Sequence, residues 1–124
     1  MDYKKFIVQY WESIATQDEQ KLRGYFCRDA YIRWHNTNEQ FGVEEFLRAN
    51  CDYPGNWNGT VERIEQKDDL IITVTHVWAE GMSFHVTSFI QMMGNSIKAI
   101  DEYWGDDGCA PQWRTEKNIG KPIQ

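Results

Sequence analysis

The stretch VTHVWAEGMSFHVTSFIQMMGNSIKAIDEYW, residues Val74 to Trp104, reads as two successive β-hairpins. A tight turn at Glu80-Gly81 pairs Ala79 with Met82, and therefore Val77 with Phe84 and His76 with His85. A second turn at Gly94-Asn95 pairs Met93 with Ser96. With no residue inserted, it also sets Thr87 opposite Glu102 and His85 opposite Trp104. Directly opposed residues share a face, because strand side chains alternate with period two. One face then collects His76, Trp78, His85, Thr87, Phe89, Ile100, Glu102 and Trp104. The other collects Phe84, Val86, Ser88, Ile90, Ala99, Asp101 and Tyr103. A one-residue bulge would exchange these assignments beyond it. The first face combines two imidazoles, a carboxylate and two indoles, which suits the wall of a small-molecule pocket better than a packing layer.

Upstream of the hairpins the periodicity changes. Tyr3, Phe6, Ile7, Tyr10, Trp11 and Ile14 fall at helical spacing, with Asp2 placed to cap the start. Asp18 caps a short second helix reaching about Gly24 and carrying Leu22 inward. Ala30 to Asn36 alternates as a strand, Asn36 to Phe41 is polar and turn-like, and Gly42 to Asn50 returns to helical spacing through Val43, Phe46 and Leu47. Residues Asp52 to Gly59 form a loop by their Pro, Gly and Asn content. Thr60 to Gln66 and Leu70 to Ala79 are strands, followed by Met82 to Met92 and Ser96 to Trp104. From Gly105 onward the tail lacks a period, and its Trp113 is expected to dock on the body. Helices followed by antiparallel strands predict an α+β fold, with helices on one face of a curved sheet. Both sheet faces are substantially apolar and helices can cover only one, so a homodimer through the outer sheet face is expected.

At 124 residues the chain fits one domain, residues 1–124, with 105–124 as an irregular C-terminal tail. That length buries about two thirds of the unfolded surface, enough to need no covalent staple. The net charge of -6, with Lys and Arg scattered, argues against nucleic acid and anionic membrane as partners. No apolar run reaches the roughly 20 residues of a spanning helix, and no signal-peptide core is evident. Cys27, Cys51 and Cys109 are odd in number and widely spaced, which suits free thiols in a cytoplasmic protein better than disulfides or zinc ligands. No GxSxG, GxGxxG or P-loop is present, so serine-hydrolase and nucleotide chemistry are not expected. No cofactor or metal is expected.

Three segments, in order, resemble the nuclear transport factor 2 superfamily, which includes SnoaL-like polyketide cyclases and ketosteroid isomerase. They are Tyr10-Trp-Glu-Ser-Ile-Ala-Thr-Gln-Asp18 leading to Leu22 and Tyr25-Phe26; a strand followed by Gly42-Val-Glu-Glu-Phe-Leu47; and the closing Ile97-Lys-Ala-Ile-Asp-Glu-Tyr-Trp-Gly-Asp106. The resemblance spans nearly the whole chain. It implies a cone of three N-terminal helices packed on a strongly curved, mostly antiparallel sheet, with a pocket between them and commonly a homodimer. It sets Tyr10 at the oxyanion-hole tyrosine of ketosteroid isomerase and Trp104 at its pocket tryptophan. That enzyme's general-base aspartate falls on Trp34 and its protonated aspartate on Thr87. Tyrosine kept and both acids lost argue against steroid isomerisation by that route. The same alignment turns Thr87, Phe89, Glu102 and Trp104 inward.

Glu102 is the leading candidate acid/base, since an aromatic pocket would desolvate it and raise its pKa. The competing reading is a carboxylate bonded to a structural partner. Tyr10 is a candidate oxyanion donor or a core residue. His85 is expected to assist Glu102, and His76 to lie beside it; one core and one rim histidine is the plainer alternative. Trp34, His76, Trp78, Thr87, Phe89 and Trp104 are the expected binding residues. Function reads as a pocket for a small apolar molecule, either in a cofactor-independent lyase, isomerase or cyclase acting on an oxygenated substrate, or in a non-catalytic binding module. An interaction protein with a vestigial pocket is the third possibility.

Overall fold

In the computed structural model, which describes residues 1–124, the cap expected at Asp2 opens the first helix, α1 (Tyr3–Thr16): its carboxylate accepts from the Lys5 amide at 3.1 Å. Asp18 likewise caps α2 (Glu19–Gly24), accepting from the Lys21 amide at 3.2 Å. Strand β1 (Phe26–Trp34) begins four residues earlier than its alternation suggests. The polar segment read as a turn contains a short strand, β2 (Glu39–Gly42), hydrogen-bonded to β1 at the sheet edge. Helix α3 (Val43–Cys51) follows, and Glu45 reaches back to the Gly42 amide at 2.9 Å. Then come β3 (Asn58–Lys67), β4 (Leu70–Ala79), β5 (Met82–Met93) and β6 (Ser96–Asp106). A short helix, α4 (Gln112–Glu116), interrupts the tail, and Trp113 on it is 58% exposed rather than docked.

The architecture is α+β: one six-stranded sheet in the order β2-β1-β6-β5-β4-β3, with four helices. Every neighbouring pair is antiparallel except β1 and β6, which run parallel. The first two helices precede the sheet, and the third connects β2 to β3. No helix is long and apolar enough to cross a membrane.

The inner face is laid down by β4, β5 and β6. Ile71, Val77, Val86, Ile90 and Ile100 meet Ile7, Tyr10, Trp11 and Ile14 of α1 and Phe46 and Leu47 of α3 in a continuous apolar core. Burial of this kind contributes about 25 cal/mol per Å² of apolar surface and is the main term holding helices to sheet.

The first hairpin keeps its expected register, with Ala79 opposite Met82 and His76 opposite His85. The second does not. Met93 pairs with Ser96 and Met92 with Ile97, but Gln91 then pairs with Ala99, leaving Lys98 as an inserted residue. Beyond this bulge Glu102 lies opposite Ser88, Tyr103 opposite Thr87, and Trp104 opposite Val86. Ile100, Glu102 and Trp104 therefore face the helices together with Phe84, Val86, Ser88 and Ile90. His76, Trp78, His85, Thr87 and Phe89 lie on the outer face. The expected union of these five with Glu102 is overturned, and a single extra residue is the reason.

Candidate functional site

The cavity lies where the C-terminal turns of α1 and α3 approach the sheet. Its volume is about 430 Å³, within the usual range for small-molecule sites. Ile14 and Ala15 come from α1, Ala49 and Asn50 from α3, Tyr53 and Trp57 from the loop that follows, and Trp34, Val77, Phe84 and Trp104 from the sheet. Asn36, Thr37 and Asp106 complete the wall. Aromatic rings run round it in sequence: Tyr53 to Trp57 at 5.6 Å, Trp57 to Phe84 at 6.1 Å, Phe84 to Trp104 at 6.1 Å and Trp104 to Trp34 at 6.3 Å between centroids. Such contacts fix ring orientation as well as covering apolar surface.

The loop that supplies Tyr53 and Trp57 is tied down by side-chain amides. Gln17, in the left-handed conformation that ends α1, donates from Nε2 to the carbonyl oxygens of Asn50 (2.8 Å) and Tyr53 (2.5 Å). Asn50 donates back to the Ile14 carbonyl at 3.2 Å. Gly55 sits at φ +148°, and a Cβ there would fall 2.8 Å from Trp57 Nε1. Glycine thus permits both the backbone turn and the close approach of the indole. On the opposite wall Asn36 Oδ1 accepts from the Trp104 amide at 3.0 Å, and this holds the β1–β2 turn against β6.

Glu102 is beneath this cavity, not in its wall, and is 2% exposed. Its Oε1 accepts from Trp34 Nε1 at 3.1 Å, and its Oε2 from the Ser88 hydroxyl at 2.6 Å. Trp34 and Trp104 line the cavity, and the Trp34 indole N–H is bonded to the buried carboxyl. Burial pushes the Glu102 carboxyl above its ordinary range; the Ser88, Trp34 and Trp104 donors oppose that rise without cancelling it. The Trp104 N–H is close enough to the carboxyl to favour its charged form but falls short of full hydrogen-bond geometry and has no other partner. Thr73, Ser88, Glu102 and Trp34 are successive cross-strand partners on β4, β5, β6 and β1, so a polar row crosses the largely apolar inner face. The Thr73 hydroxyl in that row is buried and unpartnered.

Tyr10 is fully buried in the core, edge-on to Trp11, Tyr25 and Phe26, and does not reach the cavity wall. Burial, and next the nearby Glu102 charge, push its phenol well above the ordinary value, which keeps it neutral. Of the expected site residues, Trp34 and Trp104 line the cavity and Glu102 underlies it. Tyr10 is set deeper in the core. His76, Trp78, His85, Thr87 and Phe89 are across the sheet. Tyr53, Trp57, Phe84, Asn36, Thr37, Asn50 and Asp106 were not anticipated. The signal available for two of them was a tyrosine and a tryptophan inside the glycine-rich Asp52–Gly59 loop.

No protein-family model matches this chain, and no curated protein matches it. Solved structures do. An NTF-2 like protein of unknown function from Burkholderia xenovorans superposes with a TM-score of 0.79 at 20% identity, covering 98% of this chain and 94% of that one. A Kribbella flavida protein put forward as a ketosteroid isomerase gives 0.77 at 16% identity, over 93% and 84% of the two chains. A Shewanella putrefaciens protein put forward as a SnoaL-like polyketide cyclase gives 0.65 at 11% identity, over 94% and 83%. The fold is that of the NTF2-like and SnoaL-like proteins.

Proposed function

We propose that this chain, built on the NTF2-like fold, is a small-molecule-binding protein whose ligand is largely apolar and occupies the aromatic cavity. Binding, rather than acid/base catalysis by Glu102, is the reading the geometry favours. One observation carries it: both Glu102 oxygens are engaged by Trp34 and Ser88, and the buried carboxyl is not part of the cavity lining. Asp106 is the one carboxylate in the wall. Asn36, Thr37 and Asn50 supply the few polar groups that orient a ligand in such sites.

The test is a thermal-shift and tryptophan-fluorescence screen against steroids, flavonoids, polyketide-like phenols and fatty acids. Saturable binding that Trp57→Ala weakens is expected, with no turnover of the bound compound. Failure of every apolar class to bind would overturn the reading. Turnover abolished by Glu102→Gln with binding retained would replace it with the second reading, a cofactor-independent lyase, isomerase or cyclase. A specific observation favours that alternative: burial pushes the carboxyl toward its protonated form, and it is bonded to the cavity-lining Trp34.

A homodimer through the outer sheet face is part of the proposal. Its support is the apolar surface there: Phe89 and Tyr103 are 36% and 46% exposed, with rings 6.0 Å apart. Light scattering after size exclusion checks it, with Tyr103→Lys expected to yield monomer. The three cysteines are free, which supports a reducing compartment, the cytoplasm.

A further inference from the structure

The outer face carries a second concentration of chemistry, across the sheet from the cavity. His76 on β4 and His85 on β5 are direct cross-strand partners, with imidazoles stacked 4.7 Å apart and 9° from parallel. On the far side of β4, strand β3 contains its own bulge: Val61 pairs with Thr75 and Arg63 with Val74, leaving Glu62 as the inserted residue. Bulges re-aim side chains, and here the Glu62 carboxylate reaches over β4 to His85 Nε2 at 3.0 Å. On the other side of β5, just past the end of β6, Asp107 Oδ1 meets His85 Nδ1 at 2.5 Å. Asp107 is fixed by its own amide, which donates to the Ser83 carbonyl at 3.0 Å, and by the Ser83 hydroxyl, which donates to Oδ2. That same hydroxyl oxygen lies 2.8 Å from His76 Nε2.

We infer that Glu62, His76 and His85 form a binding site for a divalent zinc-type ion, with Asp107 as the group that orients His85 toward it. One ligand atom from each of the three lies within 4.8 Å of the others. Ligands on a tetrahedral zinc, with bonds of about 2.0–2.1 Å, stand about 3.3 Å apart, and an imidazole binds in its ring plane, so closing on the ion turns the two rings out of their parallel stack. Two imidazole nitrogens with one carboxylate oxygen suit zinc, not the oxygen-seeking magnesium or calcium. An imidazole bound to metal through one nitrogen characteristically gives the other to a carboxylate, which sets its tautomer and raises its basicity. His85 already has that arrangement, Nε2 toward Glu62 and Nδ1 on Asp107. Charge agrees: the Glu62 and Asp107 carboxylates flank the histidine pair and supply negative charge that a dication offsets. In the single chain all three ligands are partly exposed, so an ion can enter, and three protein ligands leave a tetrahedral ion a fourth position for water.

The experiment is calorimetric titration of the chelator-treated full-length protein with zinc chloride, repeated with magnesium and calcium chloride. One zinc per chain is expected, with no heat from the other two. His76→Ala and His85→Ala should each abolish saturable binding, while His35→Ala leaves it unchanged. Asp107→Asn should weaken it about 10–100-fold. Nitrogen-15 NMR of the wild type, which needs no variant, should show the His76 and His85 ring resonances moving with zinc and the His35 resonances staying in place. Zinc that fails to bind, or binds equally well to both alanine variants, or moves the wrong histidine, overturns the inference.

Discussion

Replacing Glu102 by Gln should remove a specific pH dependence of stability. Burial raises the Glu102 carboxyl above its unfolded value. Between the two values the folded chain therefore holds a proton that the unfolded chain has released. Stability then falls as pH rises, by up to about 1.4 kcal/mol per pH unit for one proton. The contribution is fully present below the unfolded pKa and is lost as pH passes through the raised one, where the slope returns to zero. Glutamine matches the neutral acid in shape: its oxygen can accept from Trp34 Nε1 and its amide can donate to Ser88. Wild type and Glu102→Gln should consequently have similar stability at pH 4, and the variant should gain steadily on the wild type as pH increases. For a chain of this size each kcal/mol corresponds to about 4 °C in Tm. Urea and thermal unfolding, followed by circular dichroism at half-unit steps from pH 4 to 9, measure the difference directly. Subtraction cancels the contributions of other groups. Parallel curves would refute the reasoning, and a wild type that gains on the variant with rising pH would mean that the donors outweigh burial.

Trp34→Phe keeps an aromatic wall but removes the donor to Oε1; it should cost about 1–3 kcal/mol in urea unfolding and extend the loss of stability to higher pH. Gly55→Ala forces a β-carbon onto Trp57 and strains a positive φ; ligand affinity and Trp57 fluorescence should change. Deleting Lys98 removes the inserted residue of β6 and turns Ile100, Glu102 and Trp104 to the outer face, so the amide NMR spectrum should collapse. Lys98→Ala, which retains the bulge, should alter stability by no more than about 0.5 kcal/mol.

Element types were legible because period and caps agree locally. Asp2 and Asp18 cap the helices where their position next to the apolar pattern places them, and Glu80-Gly81 fixes the first hairpin. The β2 strand was not legible. Glu39, Gln40 and Phe41 pair at an edge through backbone bonds that polar side chains neither promote nor forbid. The decisive miss was Lys98. A bulge has no sequence signature of its own. What selects it here is burial: with the shift, Ile100 and Trp104 reach the core beside Ile90 and Val86. Without it, both would face outward and Tyr103 would take the core position.

That selection separates two kinds of polar chemistry that an unbulged hairpin would have mixed. Glu102 goes to the inner side, where water is excluded and a carboxyl is held toward neutrality under an aromatic cavity. The two histidines stay on the outer side, where Glu62 and Asp107 meet them in partly hydrated surroundings. The inserted Glu62 of β3 acts in the same sense, because an unbulged strand would carry no extra side chain to reach over β4. The two bulges thus decide which groups can act together, and each polar cluster is to be tested on its own side of the sheet: Glu102 through unfolding against pH, and the histidines through metal titration.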